Sequence, residues 1–217
     1  MSTLEYRTAG ESHGKALIAL IEGLPAGIPL DIEAANRELF RRQGGYGRGG
    51  RQKIEKDAVN LLSGVRRGKT IGSPVAIQLA NKDWRIDEAP DLNRPRPGHA
   101  DLAGSLKWLT VDCRETLERA SARETAARVA AGAIARSLLA QFGIRSVGFV
   151  TRIGPIEAGV PMSLSPDDLI AARDANEVYT PDADAVEPMI AAIRQAKEEK
   201  DTLGGIVPMR AFNRRPG

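Results

Sequence analysis

The chain holds only two histidines, and each stands among glycine and charged residues. His13 lies in Gly10-Glu11-Ser12-His13-Gly14, and His99 in Arg96-Pro97-Gly98-His99-Ala100-Asp101. Imidazole is the side chain whose unperturbed titration falls near neutrality, so its use in two polar loops points to proton handling. Glycine lets main chain approach a ligand closely, and loops carry sites more often than cores do. One such histidine alone would more simply brace a turn; the pair, with its neighbours, favours acid–base chemistry.

Arginine is the second signal. It clusters at Arg41, Arg42, Arg48 and Arg51, at Arg66 and Arg67, at Arg94 and Arg96, and at Arg119, Arg123 and Arg128. Guanidinium groups grip phosphate and carboxylate through paired hydrogen bonds that lysine cannot reproduce. Most such pairs are solvated surface. Two clusters argue for more. Arg42 and Arg48 flank a glycine loop, Gly44 to Gly50, with Tyr46 at its centre. Arg119 and Arg123 stand at the start of a strong helical segment, where the helix dipole favours anions and cations alone would cost stability. An anion site built from Ser121, Arg123 and free backbone N–H groups resolves that conflict.

Other chemistries are excluded by pattern. One cysteine, Cys113, gives no disulfide framework. Cys, His, Asp and Glu show no metal-ligand spacing. No glycine loop ends as a Walker motif, and Gly45-Tyr46-Gly47-Arg48-Gly49 follows a helix rather than a strand, unlike a dinucleotide fingerprint. Ser12 beside His13 has no nucleophile-elbow context. A net charge of +3 is too mild to imply nucleic acid, and aromatics at 4% leave few stacking platforms. No run of about eighteen apolar residues offers a membrane span.

The scaffold must hold these loops. Lys15 to Glu22 reads as a buried strand, followed by a turn-rich break over 23–29. Asp31 caps a helix over Ile32 to Arg42. Ala58 to Leu62 and Ser73 to Leu79 read as strands about a turn at Arg66-Arg67-Gly68. Asn81 to Gly98, with three prolines, reads as a long loop of the kind that serves function. Ser121 to Phe142 is the strongest helix, with Ser121 and Glu124 as a capping box, Val129, Ala133, Leu138 and Phe142 as an apolar stripe, and Gly143 as its stop. A strand over Ile144 to Ile153 follows. Next come a helix over Pro166 to Asn176 capped by Ser165, and an amphipathic helix over Val186 to Glu199 with Met189, Ile190 and Ile193 on one side. Leu203 to Val207 begins another strand.

Four segments, GESHG at 10–14, GYGRG at 45–49, RPGHAD at 96–101 and SARETAARVAAGA at 121–133, occur in an order and spacing that resemble the chorismate synthase family. The resemblance runs from residue 4 to about 207. It implies an α+β fold, a β-α-β sandwich, incomplete at its C-terminus. It implies a carbon–oxygen lyase that converts 5-enolpyruvylshikimate 3-phosphate to chorismate by 1,4-anti-elimination of phosphate, in aromatic amino acid biosynthesis. Reduced FMN is the implied cofactor, with NADPH as reductant in some members; a cytoplasmic homotetramer is the implied assembly.

By the same resemblance, His13 is the acid toward the reduced flavin and His99 protonates the departing phosphate. Arg42 and Arg48 meet anionic groups of substrate or of NADPH. Arg119, Ser121, Ala122 and Arg123 match the FMN-contacting segment, and Ser12, His13, Arg42, Arg48 and Arg123 the substrate-binding set. Family members continue past Asp201 to Val207 with further flavin-binding segments and an Arg-Ser-Asp motif. Here residues 208–217 diverge. The expectation is thus a truncated or frameshifted product or half of a split protein, with 1–207 as the N-terminal part of one domain and 208–217 as a divergent tail. Two other functions compete: a non-catalytic remnant that binds flavin or phosphate anions, and an RNA-binding tract in RRQGGYGRGGR.

Overall fold

Alternation of side chains along Ala16–Glu22 makes this strand, β2, the centre of the first sheet: Leu17, Ala19 and Ile21 face inward and are buried, while their neighbours are half-buried. The computed structural model describes residues 3–49 and 54–213. β2 pairs antiparallel with β1 (Glu5–Ala9) on one side and β6 (Val75–Ala80) on the other, and β6 pairs with β3 (Asn60–Ser63). Between β3 and β6 a small hairpin, β4 (Val65–Arg66) and β5 (Lys69–Thr70), turns through Arg67 and Gly68. Val75, Ile77 and Leu79 of β6 extend the buried face of β2.

Helix α1 (Ile32–Gln43) starts where Asp31 accepts the Ala34 N–H, and it buries Ala35 and Leu39. After a connection without regular structure over 81–100 come α2 (Asp101–Trp108) and α3 (Arg114–Arg119), then a 3-10 turn (Ala122–Glu124) leading into α4 (Thr125–Ala140). Ala126, Ala127, Ala130, Ala131 and Ile134 of α4 join the same core as the inward faces of β2 and β6. Four alanines let the helix lie close to the sheet, beneath the loops that β1–β2 and β6 carry.

The chain divides into two compact units, one within Met1–Arg42 and Gly50–Leu138 and one within Gln43–Gly49 and Leu139–Gly217. In the second, β7 (Arg145–Gly148) pairs with β11 (Met209–Phe212), and β8 (Arg152–Ile153) lies between β9 (Ile156–Glu157) and β10 (Gly205–Ile206). Helices α5 (Pro166–Asp174) and α6 (Val186–Glu198) complete it. Ser165 caps α5 at the Asp168 N–H, and Met189 and Ile190 of α6 are buried. The glycine loop belongs to this unit: the Tyr46 N–H donates to Glu177 O, and the Tyr46 ring packs against the cluster around Met189.

Several expectations shift. The capping box at Ser121 does not close, because Glu124 gives its carboxylate to Thr8 and Arg128, and Ser121 Oγ accepts from Arg123 N instead. The buried line of α4 is its alanines and Ile134, whereas Phe142 is exposed. The expected strand over 144–153 splits into β7 and β8. Pro208 explains the split: it has no N–H, so it parts the returning chain into β10 and β11, and Phe149 donates to Pro208 O between the two ladders. Residues Met209–Phe212, expected as divergent tail, form β11 in register with β7. Residues 214–217 and Arg51 lie outside the described residues.

Candidate active site

The His13 segment is the connection between β1 and β2. Gly10, at φ +99°, makes the bend, and a Cβ there would stand 2.3 Å from Ala16 O. Ser12 is buried and donates its N–H to Glu118 O at 2.9 Å. The His13 carbonyl accepts from Arg85 N and Ile86 N, tying the long connection after β6 to this loop.

Glu118 decides how the imidazole sits. Its side chain is wholly buried, and its carboxylate lies 2.9 and 3.1 Å from His13 Nδ1 and 2.8 Å from the His13 main-chain nitrogen. A carboxylate only accepts, so Nδ1 is the donor and the exchangeable position is Nε2. Nε2 faces Asp83 at 3.6 Å. Arg114 adds a charge-assisted contact to Glu118 at 3.4 Å. A cleft of about 350 Å³ opens beside His13, lined also by Arg85, Glu88, Ala89, Pro90 and Arg114.

His99 repeats the arrangement. Its Nδ1 lies 2.6 Å from Asp101 Oδ1, and Asp101 is wholly buried at the start of α2. Asp101 also accepts from Arg96 through the main-chain N–H at 3.0 Å, Nε at 2.9 Å and a terminal nitrogen at 3.2 Å. The Arg96 hydrogen bonds, against the opposing effect of burial and with help from His99, hold the Asp101 carboxyl far below the usual carboxylate range. Arg96 is in turn held more firmly cationic, chiefly by Asp101, and it also feels the charge of Glu118.

The arginines divide by role. Arg123 is buried, with two terminal nitrogens each 2.7 Å from the Asp57 carboxylate and Nε 2.9 Å from Asn81 Oδ1. The anion expected at this helix start is thus supplied by the protein itself. Arg42, in the last turn of α1, donates to Thr125 Oγ1 and Ala122 O and stands 3.8 Å from Asp57. Arg119 sits at the end of α3 rather than at the start of α4, and donates to the carbonyl and hydroxyl of Thr8. Ser121 and Ala122 stand between these arginines in sequence, and Ala122 is exposed. Arg48 belongs to the second unit, where it lines a cleft of about 790 Å³ with Val150, Ile153, Lys197, Lys200 and Leu203. Among the described residues no group of three or more His, Cys, Asp or Glu is arranged to hold a metal ion, and no helix is long and apolar enough to cross a membrane.

The family model for chorismate synthase matches residues 4–217. The chain belongs to the chorismate synthase family. The chorismate synthase of Symbiobacterium thermophilum is 52% identical over 231 residues, covering 99% of this chain and 59% of that protein. That of Desulforamulus reducens is 51% identical over 221 residues, covering 96% of this chain and 57% of that protein. A crystal structure of chorismate synthase superposes with a TM-score of 0.81 at 40% identity, over 100% of this chain and 59% of that one, in agreement with the α+β fold. The chain spans about 59% of the length of such relatives.

Within this chorismate synthase scaffold, Ser12 and His13 come together with Glu118, and Arg42 and Arg123 with Asp57, while Ala122 O accepts from Arg42. Glu118, Asp57 and Asn81 were not legible as site residues. Glu118 lies in a charged run, RETLER, that looks like a solvated helix, and nothing local marks Asp57 or Asn81. Asp101 had a signal, two residues after His99 in the quoted motif.

Proposed function

We propose that this chain carries the histidine-bearing part of a chorismate synthase, a lyase that eliminates phosphate from 5-enolpyruvylshikimate 3-phosphate to give chorismate with reduced FMN. The observation that carries this proposal is the twin geometry: each histidine spends Nδ1 on a wholly buried carboxylate and keeps Nε2 for a transferable proton.

A departing phosphate builds negative charge on its leaving oxygen, and a proton delivered as the bond breaks lowers that barrier. His99 is the donor in this proposal, with Asp101 stabilising the imidazolium through Nδ1. His13, beside its cleft, presents Nε2 as its exchangeable position. Arg42 and Arg48, with Arg123 as the anchor of Asp57 and Asn81, complete the substrate set together with Ser12.

Reduced FMN, when bound, would supply transient electron density for an elimination with no net redox change. The donor chemistry fits a phosphate-bearing ring. Arg119 is partly exposed, and in the second unit cationic Arg48, Lys197 and Lys200 line an apolar floor. Arg42, Arg48, Arg119, Ser121 and Ala122 are the residues assigned to it, with Arg123, whose guanidinium is taken by Asp57 and Asn81, in a supporting place, and Arg42 and Arg48 also to NADPH where that is the reductant. The same proposal places the full-length enzyme in the cytoplasm as a homotetramer. The RNA-binding alternative is disfavoured by Tyr46, whose ring packs in a core cluster and whose hydroxyl accepts from Arg194 at 2.8 Å.

The test is an anaerobic assay with 5-enolpyruvylshikimate 3-phosphate and photoreduced FMN, following chorismate. Product formed by the chain, alone or complemented with a C-terminal family fragment, and lost in His99→Ala, supports the proposal. Absence of product under both conditions overturns it and leaves a non-catalytic remnant.

A further inference from the structure

The loop that presents His13 turns three carbonyl oxygens toward a single side chain. Asn81 Nδ2 lies 2.7 Å from Gly14 O, 3.1 Å from Glu11 O and 3.2 Å from Ser12 O. Asn81 and Ser12 are both buried, so water does not substitute freely for these bonds. Glu11 O also accepts from Gly14 N at 3.2 Å, so Ser12 O and Gly14 O depend most on this amide; leaving such acceptors without a donor is costly, and a loop so deprived turns its peptides to find partners. An amide has only two N–H groups, so Gly14 takes the shortest bond and Glu11 and Ser12 share the remainder.

The amide works only in one orientation. Reversed, its oxygen would meet three carbonyl oxygens. Arg123 prevents the reversal by donating Nε to Oδ1 at 2.9 Å, and Arg123 is itself held by both carboxylate oxygens of Asp57 at 2.7 Å. The Asn81 N–H, donating to Lys15 O at 3.0 Å, fixes the main chain from which the side chain projects. Asp57, Arg123 and Asn81 thus form one line of hydrogen bonds ending on the main chain on both sides of His13, while Glu118 holds the imidazole from its other end.

We propose that Asn81 is the positioning residue of the His13 loop and that the Arg123–Asp57 pair sets its amide orientation. Asn81 touches neither substrate nor cofactor in this assignment; it acts through His13. A near-isosteric Asp at this position would present oxygen to the three carbonyls and would keep only the bond to Arg123. The turnover part of the test rests on the function proposed above, whereas the spectroscopic part does not.

The two histidines make the test direct. In the full chain labelled with ¹⁵N histidine, each imidazole gives its own signals, and His13→Gln assigns them. The wild type shows His13 as the Nδ1–H tautomer. Asn81→Asp and Asn81→Ser shift His13 away from that tautomer and broaden its signals while those of His99 stay in place; Asn81→Ser decides alone if Asn81→Asp does not fold. In the turnover assay both variants lose about 10²-fold in kcat with KM little changed. An unchanged His13 tautomer in the variants overturns the proposal, as does a parallel shift of both histidines, which reports general loosening. A wild type without turnover but with the His13-specific shift upholds the positioning role and counts against the catalytic one.

Discussion

Glu118 Oε2 accepts both the main-chain N–H of His13, at 2.8 Å, and its ring Nδ1, at 2.9 Å. One buried carboxylate oxygen therefore sets the position of the residue and the tautomer of its ring together. A glutamine in its place has one accepting oxygen: with that oxygen at His13 its NH2 faces the Arg114 guanidinium, and with the oxygen at Arg114 the NH2 faces the two His13 donors. Glu118→Gln is expected to lower turnover by about 10²-fold or more, with a mixed His13 tautomer in ¹⁵N spectra. A variant with wild-type rate and tautomer would show that Glu118 merely fills space.

Arg123 and Asp57 are both buried, and each is the other's main partner. Removing one leaves the other's charge uncompensated in the interior, whereas removing both leaves the neighbouring Arg42 and Glu55, at 3.8 and 3.9 Å from the pair, as charges of opposite sign. Arg123→Met is expected to cost about 3 kcal/mol in urea unfolding, and Arg123→Met with Asp57→Leu distinctly less. Equal losses for the single and double variants would contradict the pairing.

Asp101 gives the acid side of the stability profile a definite sign. Arg96 hydrogen bonds, with His99, hold its folded pKa below the unfolded one despite burial. Its contribution is therefore full above the unfolded carboxylate pKa, about 3.9, and is lost as the pH falls below that toward the folded value. Arg96→Gln removes the chief cause of the depression. The stability gap between wild type and Arg96→Gln should be constant near neutrality and narrow as the pH drops from about 4 downward. Urea midpoints at several pH values check this; a gap that widens in acid refutes it.

Thr116 and Gly104 meet where α3 packs on α2. Among the described residues Thr116 Oγ1 is a buried hydroxyl with no hydrogen-bond partner, and a Cβ on Gly104 would stand 1.9 Å from it. Thr116→Val removes an unsatisfied polar atom and should raise stability by about 1 kcal/mol. Gly104→Ala overpacks the same contact and should cost about 1–3 kcal/mol, with displacement of the Asp101-bearing helix and so of His99. Thermal melts and the His99 imidazole signals report both effects.

Legibility followed the range of the interactions. The Asp31 and Ser165 caps and the Met189–Ile190 face of α6 are set by residues a few positions apart and formed as read, and the apolar run Lys15 to Glu22 formed a strand over Ala16–Glu22, with only alternate residues buried. The Ser121–Glu124 box is equally local in pattern, yet Glu124 bonds to Thr8, 116 positions away. Arg123 misled in a similar way: a cation at a helix start was read as awaiting a ligand, and the fold had already brought it Asp57, 66 positions away.

The sequence by itself determined the family, through four motifs in order, together with the strands and helices that short-range periodicity and capping dictate. Only the tertiary structure decided which carboxylate holds each ring, that Asn81 gathers the carbonyls of the His13 loop, and that Arg48 stands in a different compact unit from Arg42. The physical reason is that burial creates these partnerships. Glu118 reads as solvated charge in its own helix and becomes a strong, selective acceptor only when residues 105 positions away close over it.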